Sequence, residues 1–302
     1  MMYLCLFAAI LLSTPVLCQF SFAQTSTFNF GAVGDIDEAE KAKATIKNMA
    51  SHGVELIIGL GDYRYDDGEL YVNEFWNDIV MPNKGGAKWY GALGNHDVDD
   101  SKLYLNKFNQ SSWIYSFDSN GTHFLALDAY ADYKKGSGQY NFVQNDLKKA
   151  SSNPNVKWNV VYMHPPMYAS CSVHCPESEL RDTYQPLFDQ YNVDLVLQGH
   201  DHNYQRTYPL EFNASNSDSP IITTSDKSNY IDPKGEVYVT VGTGGRHAHH
   251  LDPAMPGYLV TEFTDTIGYI DISVINNGTM KGVYYSDDGE VKDQFTIKKG
   301  DV

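Results

Sequence analysis

Five short apolar runs in this chain each end in residues able to bind a metal ion or to carry a proton. Residues 54–60 lead into Gly61-Asp62-Tyr63-Arg64-Tyr65, and residues 27–33 into Gly34-Asp35. Residues 89–93 lead into Gly94-Asn95-His96-Asp97, residues 158–163 into His164, and residues 193–198 into Gly199-His200-Asp201-His202. Carboxylate, carboxamide and imidazole are the oxygen and nitrogen donors that suit first-row metal ions. A carboxylate such as Asp62 cannot be buried without a partner charge. Tyr65 lies three residues on, where a tight loop lets its phenol reach the same partner. One such ending reads equally well as a solvated turn; five at domain-wide spacing point to one shared metal site.

The run 54–60 is too short and too β-branched for a helix and reads as a strand buried on both faces, and the other four read as strands as well. An open α/β sheet places its ligands at the carboxyl ends of such strands. Helical periodicity occupies 38–51, with Ala39, Ala42, Ile46 and Met49 on one stripe and Gly53 ending it. A second helix is predicted over 69–80, presenting Leu70, Phe75, Trp76 and Ile79, and two more over 139–150 and 179–191. Strands 113–117 and 123–127 are joined across Asn120-Gly121, a hairpin signal. From Glu236 onward the pattern is all β, at 237–241, 258–263, 269–275 and 280–285, with turns at Asn277-Gly278 and 287–289. Strands alternating with helices and then a run of strands predict an α/β (α+β) fold, a four-layer αββα sandwich of two mixed sheets flanked by helices. Residues 213–232 read as one extended polar loop.

Residues 1–23 carry an apolar run and, at Ser21-Phe22-Ala23, small residues where a signal peptidase reads. They are expected to be a secretory signal cleaved before Gln24, leaving residues 24–302 as a single domain. No later stretch is long and apolar enough to span a membrane. The formal net charge of -16 argues against a nucleic-acid partner, whose binders concentrate Lys and Arg on one face. Attraction for any anionic ligand would then have to be local, and bound cations would supply it. Four glycosylation sequons stand at Asn109, Asn120, Asn213 and Asn277. Cys171 and Cys175 are the cysteines left after signal removal; in an oxidising compartment they are expected to pair. The other readings are a free reactive thiol or a metal pair, for which two thiolates fall short of a complete soft site.

The ordered set Gly-Asp-x-x, Gly-Asp-x-x-Tyr, Gly-Asn-His-Asp, His164 and Gly-His-x-His resembles the calcineurin-like metallophosphoesterases, over roughly Asp35 to Gly245. Within them the chain is similar to the purple acid phosphatases. The wider superfamily usually has His two residues after the first Asp, where Asp37 stands here, and Tyr65 appears in the second motif instead. The purple branch usually has Gly at the position of Asp37 and Glu at that of Asp97. The resemblance implies that Asp35, Asp62, Tyr65 and His202 hold Fe(III). It implies that Asp62, Asn95, His164 and His200 hold a divalent ion (Fe, Zn or Mn), with Asp62 bridging. Anionic carboxylate and phenolate oxygens favour a hard trivalent ion, and imidazoles with a neutral amide suit a divalent one. A metal-bound hydroxide attacking phosphorus is the expected reaction.

Leaving-group protonation needs an imidazole beside the metals. His96 follows Asn95 directly, and His174 lies ten residues after His164, at about the spacing of a phosphate-contacting His in the resembled family. His96 reads alternatively as an orienting residue bonded to Asp97, and His174 as an exposed loop residue. The segment Gly242-Thr243-Gly244-Gly245-Arg246-His247 is expected either to cradle a phosphate through its N–H groups or to support the metal loop. His247, His249 and His250 read as a solvated loop edge, with one of them lining the substrate cleft as the other reading, Tyr204 as a pocket wall and Arg206 as a structural ion pair. The expectation is a secreted hydrolase of small phosphate monoesters, in a small single-domain form of the family. The rivals are a Mn- or Zn-dependent phosphodiesterase or nucleotidase and, outside enzymes, a secreted binding protein on the same fold.

Overall fold

The computed structural model describes residues 26–300 apart from 38, 172, 252 and 253. The expected signal over 1–23 lies outside the described residues. Strands β1 (Thr27–Val33), β2 (Leu56–Gly59) and β3 (Lys88–Gly91) are parallel neighbours. Next come β4 (Tyr115–Ser119), β5 (Thr122–Ala126), β6 (Trp158–Tyr162), β7 (Leu195–Gln198) and β8 (Tyr204–Thr207). The short β9 (Leu210–Glu211), β10 (Ile221–Ile222) and β11 (Asn229–Ile231) precede β12 (Val237–Val241) and β13 (Leu259–Phe263). A final antiparallel meander is β14 (Gly268–Ile275), β15 (Thr279–Ser286) and β16 (Val291–Lys298). One seven-stranded sheet runs β11-β16-β15-β14-β1-β2-β3 and the other β13-β8-β12-β7-β6-β5-β4. Both mix parallel and antiparallel pairs, as expected of the sandwich.

Three apolar layers hold the sandwich together. Phe30, Ile58, Val160, Leu197 and Ile272 fill the layer between the sheets. Helix α1 (Ala39–Ser51) buries Ala42, Ile46 and Met49 on the outer face of the first sheet, and α2 (Glu69–Asn73), α3 (Met81–Asn83) and α4 (Ser101–Phe108) lie nearby. Helices α5 (Gly138–Ser151) and α6 (Ser178–Tyr191) cover the second sheet with Val143, Leu147, Tyr184 and Phe188. The β4–β5 turn is a two-residue loop with positive φ at both Asn120 (48°) and Gly121 (76°), the conformation Asn-Gly favours.

Two expectations are corrected. The helix over 69–80 is not continuous: α2 gives way to a π-helical stretch over Glu74–Val80, and Met81–Asn83 resumes α-helix at Pro82. The wider winding turns the apolar stripe, so Val72 is buried and Leu70 is 73% exposed. The polar loop 213–232 contains β10 and β11, and β11 pairs parallel with β16 because Tyr230 is buried against Phe295 and Arg206. Pairing of Ile231 and Asn229 with β16 needs only backbone groups, which polar side chains do not forbid.

Beside the edge strand β4 of the second sheet, His123 of β5 is clamped by Asp118 of β4 (2.6 Å at Nδ1) and Asp146 of α5 (2.9 Å at Nε2). Burial lowers its pKa, but the hydrogen bonds to Asp146 and Asp118 more than offset this and raise it above 6.5. A raised folded pKa contributes stability that is fully present below the unfolded value and is lost as pH rises through the folded one. The His123→Gln variant should therefore lose more stability at about pH 5 than at about pH 8.5, read from denaturant midpoints. Equal losses at both would show that the ring acts through packing alone.

Candidate metal centre

Gly31, Ile57 and Tyr90 belong to one sheet and Val161 and Val196 to the other, so the two sheets bring five strand ends to one place. Asp35 follows β1, Asp62 and Tyr65 follow β2, Asn95 and His96 follow β3, His164 follows β6, and His200 and His202 follow β7. The chain turns inward at these ends through left-handed backbone: Asp35 (φ 59°), Asp62 (52°) and His200 (71°) are three of the eight non-glycine residues with positive φ among the described residues. Each follows a glycine. Such conformations cost of order 1 kcal/mol and cluster at functional sites. The β2 and β3 loops also approach closely: a Cβ on Gly94 would lie 2.1 Å from Asp62 Oδ1, and one on Gly61 2.7 Å from His164 Nδ1.

The donor atoms meet in two groups. In the first, the Tyr65 hydroxyl lies 3.2 Å from Asp35 Oδ1 and 2.8 Å from His202 Nε2, with His202 Nε2 3.5 Å from Asp35 Oδ1. In the second, His164 Nε2 lies 3.3 Å from Asp62 Oδ2, 3.2 Å from Asn95 Oδ1 and 3.1 Å from His200 Nδ1. Asp62, His164 and His200 each offer a ligand atom, all within 4.8 Å of one another. Carbonyl oxygens fix two of the rings: His164 Nδ1 donates to Leu60 O (2.6 Å) and His202 Nδ1 to His247 O (2.9 Å), so each ring turns its Nε2 into the site. Burial lowers the His164 pKa, but Asp62 more than offsets this and raises it to about 9, so a cation binding at Nε2 displaces a proton there.

Electrostatics agree with a site built for cations. Burial raises the Asp62 carboxyl, and the His164 imidazole beside it more than offsets this, leaving it at about 2. Burial lowers His200, and His164 lowers it further, to about 3, so its ring is neutral and free to coordinate. Burial, then Asp35 and Asp62, push the Tyr65 phenol far up, so only a strongly acidic cation would make it a phenolate here. Asp35 and Asp62 are buried without an Arg or Lys ion pair among the described residues, and cations fit that deficit.

Both expected proton carriers lie at the mouth. The exposed His96 ring packs on Tyr65, 4.4 Å between centroids, and the half-buried His174 packs on His200 at 3.9 Å. Burial is the largest effect on His174, and with His249 and His202 it holds the imidazole below its ordinary value. Cys171 and Cys175 are bonded, so the His174 loop is closed on itself. Asp97 does not orient the His96 ring. It is fully buried and accepts the backbone N–H groups of Asp62 (2.7 Å), Tyr63 (3.0 Å) and Gly94 (2.9 Å), bracing the two loops. The turn 242–245 supports the metal loops, since Gly244 N donates to Gly34 O and Gly34 N to Val241 O.

Other readings change. His249 is not on a solvated edge: its ring stacks on His202 (3.8 Å, 21°) and its Nδ1 accepts the His202 N–H at 3.2 Å. Nothing in a run of three histidines marks which one folds inward; the left-over strand end after β12 was the available signal. Tyr204 is no pocket wall, being buried in the core with its hydroxyl on Asp293 (2.8 Å). Arg206 forms the expected ion pair, bidentate to Asp293 at 2.6 and 2.9 Å. Among the sequons, Asn109, Asn120 and Asn277 are exposed, whereas the Asn213 amide donates to Ser219 O. No helix among the described residues is long and apolar enough to cross a membrane.

The calcineurin-like phosphoesterase family model matches residues 28–204. Purple acid phosphatase 23 of Arabidopsis thaliana is 38% identical over 139 residues, covering 45% of this chain and 26% of that protein. Purple acid phosphatase 22 of the same plant is 28% identical over 269 residues, 82% of this chain and 58% of its own length. Among solved structures, the purple acid phosphatase PPD1 of yellow lupin (Lupinus luteus) superposes with a TM-score of 0.76 at 21% identity, covering 91% of this chain and 54% of that one. The chain thus spans little more than half, or less, of these relatives.

Proposed function

Because the chain belongs to the calcineurin-like phosphoesterase family, we propose that it is a secreted dinuclear metallohydrolase of phosphate monoesters, of the purple acid phosphatase kind. The observation that carries the narrower reading is the Tyr65 hydroxyl lying between Asp35 and His202. Asp35, Tyr65 and His202, with Asp62, would hold Fe(III); Asn95, His164 and His200, again with Asp62, would hold the divalent ion (Fe, Zn or Mn). When bound, the two cations neutralise the phosphoryl oxygens and acidify a water. The chain's own residues do the rest. His164 and His202 are kept in one tautomer by Leu60 and His247, so no reorientation is needed before the ester binds. His96, against Tyr65, and His174, against His200, would bind the phosphate and pass a proton to the leaving oxygen.

The colour of the protein tests this. Iron-loaded wild type should show a broad visible band from the Tyr65 ring, and Tyr65→Phe should lose the band while keeping the fold, since the ring volume is retained. A metal-replete wild type with no visible band would favour the Mn- or Zn-dependent phosphodiesterase reading instead.

A further inference from the structure

The segment that follows β12 grips the Tyr65 side of the centre, and one of its residues has no part in the reading above. Arg246 N donates to Asp35 O at 3.1 Å, and His249 N to His202 O at 3.0 Å. The Arg246 guanidinium carbon lies 4.1 Å from the centroid of the Tyr65 ring. The same guanidinium is ion-paired to the Asp37 carboxylate, and the Asp37 carbonyl in turn accepts Arg64 Nη1 at 2.8 Å. Arg64 is itself tied to Glu74 at 3.3 Å. The chain Glu74–Arg64–Asp37–Arg246 thus ends with a planar cation laid against the ring. A surface arginine side chain is ordinarily free to choose among rotamers. Here, at 36% exposure, it is held at one place by a carboxylate that offers it a fixed partner.

We infer that Arg246 is the positioning residue for Tyr65: clamped by Asp37, it fixes the plane of the phenol ring and sets a positive charge against its face. The inference rests on the proposed role of Tyr65 as an iron ligand for its spectroscopic consequence. A cation against the ring stabilises the filled ring orbitals, so promoting an electron from ring to iron takes more energy. Removing the charge should move the visible band to longer wavelength. The contact itself is of a strength that changes an equilibrium constant by about 2- to 30-fold.

Two measurements on the full chain decide it. In iron-loaded protein, Arg246→Met should keep the band, shift it to longer wavelength, and lose iron to a chelator about 2- to 30-fold more readily. Arg246→Lys, which keeps the charge but not the planar stacking, should restore part of the shift, and Asp37→Asn should fall between wild type and Arg246→Met. A band at the wild-type wavelength in fully loaded Arg246→Met overturns the inference. In metal-free protein, unfolding equilibria of wild type, Arg246→Met, Tyr65→Leu and the double variant should be coupled by about 2- to 30-fold. Additive effects overturn the clamp. A colourless iron-loaded wild type would remove the iron-ligand role of Tyr65, and the metal-free cycle then decides the Arg246 contact alone.

Discussion

Asp62→Asn is expected to empty both metal positions at once. The Asp62 carboxylate is 2% exposed, with Oδ2 3.3 Å from His164 Nε2 and Oδ1 accepting the His96 N–H at 3.0 Å. It is therefore held in place by backbone, and its charge is available on the side where the imidazoles converge. Replacement of groups that merely orient a ligand costs about 10- to 100-fold in metal affinity, so loss of a shared anionic ligand should exceed about 100-fold. Asn keeps the volume and one oxygen, which leaves the loop intact. Elemental analysis should fall from about two ions per chain toward none. The rise in melting temperature that added metal gives the wild type should vanish with it. A variant that still holds two ions per chain would sink the shared-ligand assignment.

Arg206→Met should cause the largest loss of stability away from the centre. Arg206 is 2% exposed, bidentate to Asp293, bonded to Lys227 O at 3.0 Å, and lies 5.0 Å over the Phe295 ring. Burial opposes its charge, but Asp293 more than offsets this and raises its pKa further. Removing the cation leaves the Asp293 carboxylate, 11% exposed, without its partner, at a cost of about 3–5 kcal/mol. The denaturant midpoint reads it out. The double variant Arg206→Met/Asp293→Leu should recover most of the loss, because an apolar pair of similar volume replaces a buried ion pair at little cost. A single variant within about 1 kcal/mol of wild type would show that Asp293 is better hydrated than its position implies.

The strand ends were legible because strands buried within a sheet leave largely apolar runs, and an Asp, Asn or His, after a Gly at four of the five ends, closes each run sharply. The hairpin at Asn120-Gly121 was legible for a local reason too, since both residues tolerate positive φ. The π-helical stretch over Glu74–Val80 was not, because an extra residue in the winding leaves apolar spacing that still passes for an α-helix. The strand β11 was hidden for a different reason. Its pairing with β16 lies 60 or more residues away in sequence, and only Tyr230 of its three residues is buried.

Residue type and order along the chain brought forward Asp35, Asp62, Tyr65, Asn95, His164, His200 and His202 as candidate donors, each just after a local strand-to-loop transition, and the resemblance singled them out as a set. Nothing local tells which donors share a group, which nitrogen of His164 and His202 faces inward, or that His249 and Arg246 fold over the Tyr65 side. Those are decided by contacts between segments far apart in sequence: Leu60 with His164, His247 with His202, Asp37 with Arg246. A strand's end carries its chemistry in its own residues. The partners that aim it come from the other sheet, and only the packing of the two sheets brings them within hydrogen-bonding distance.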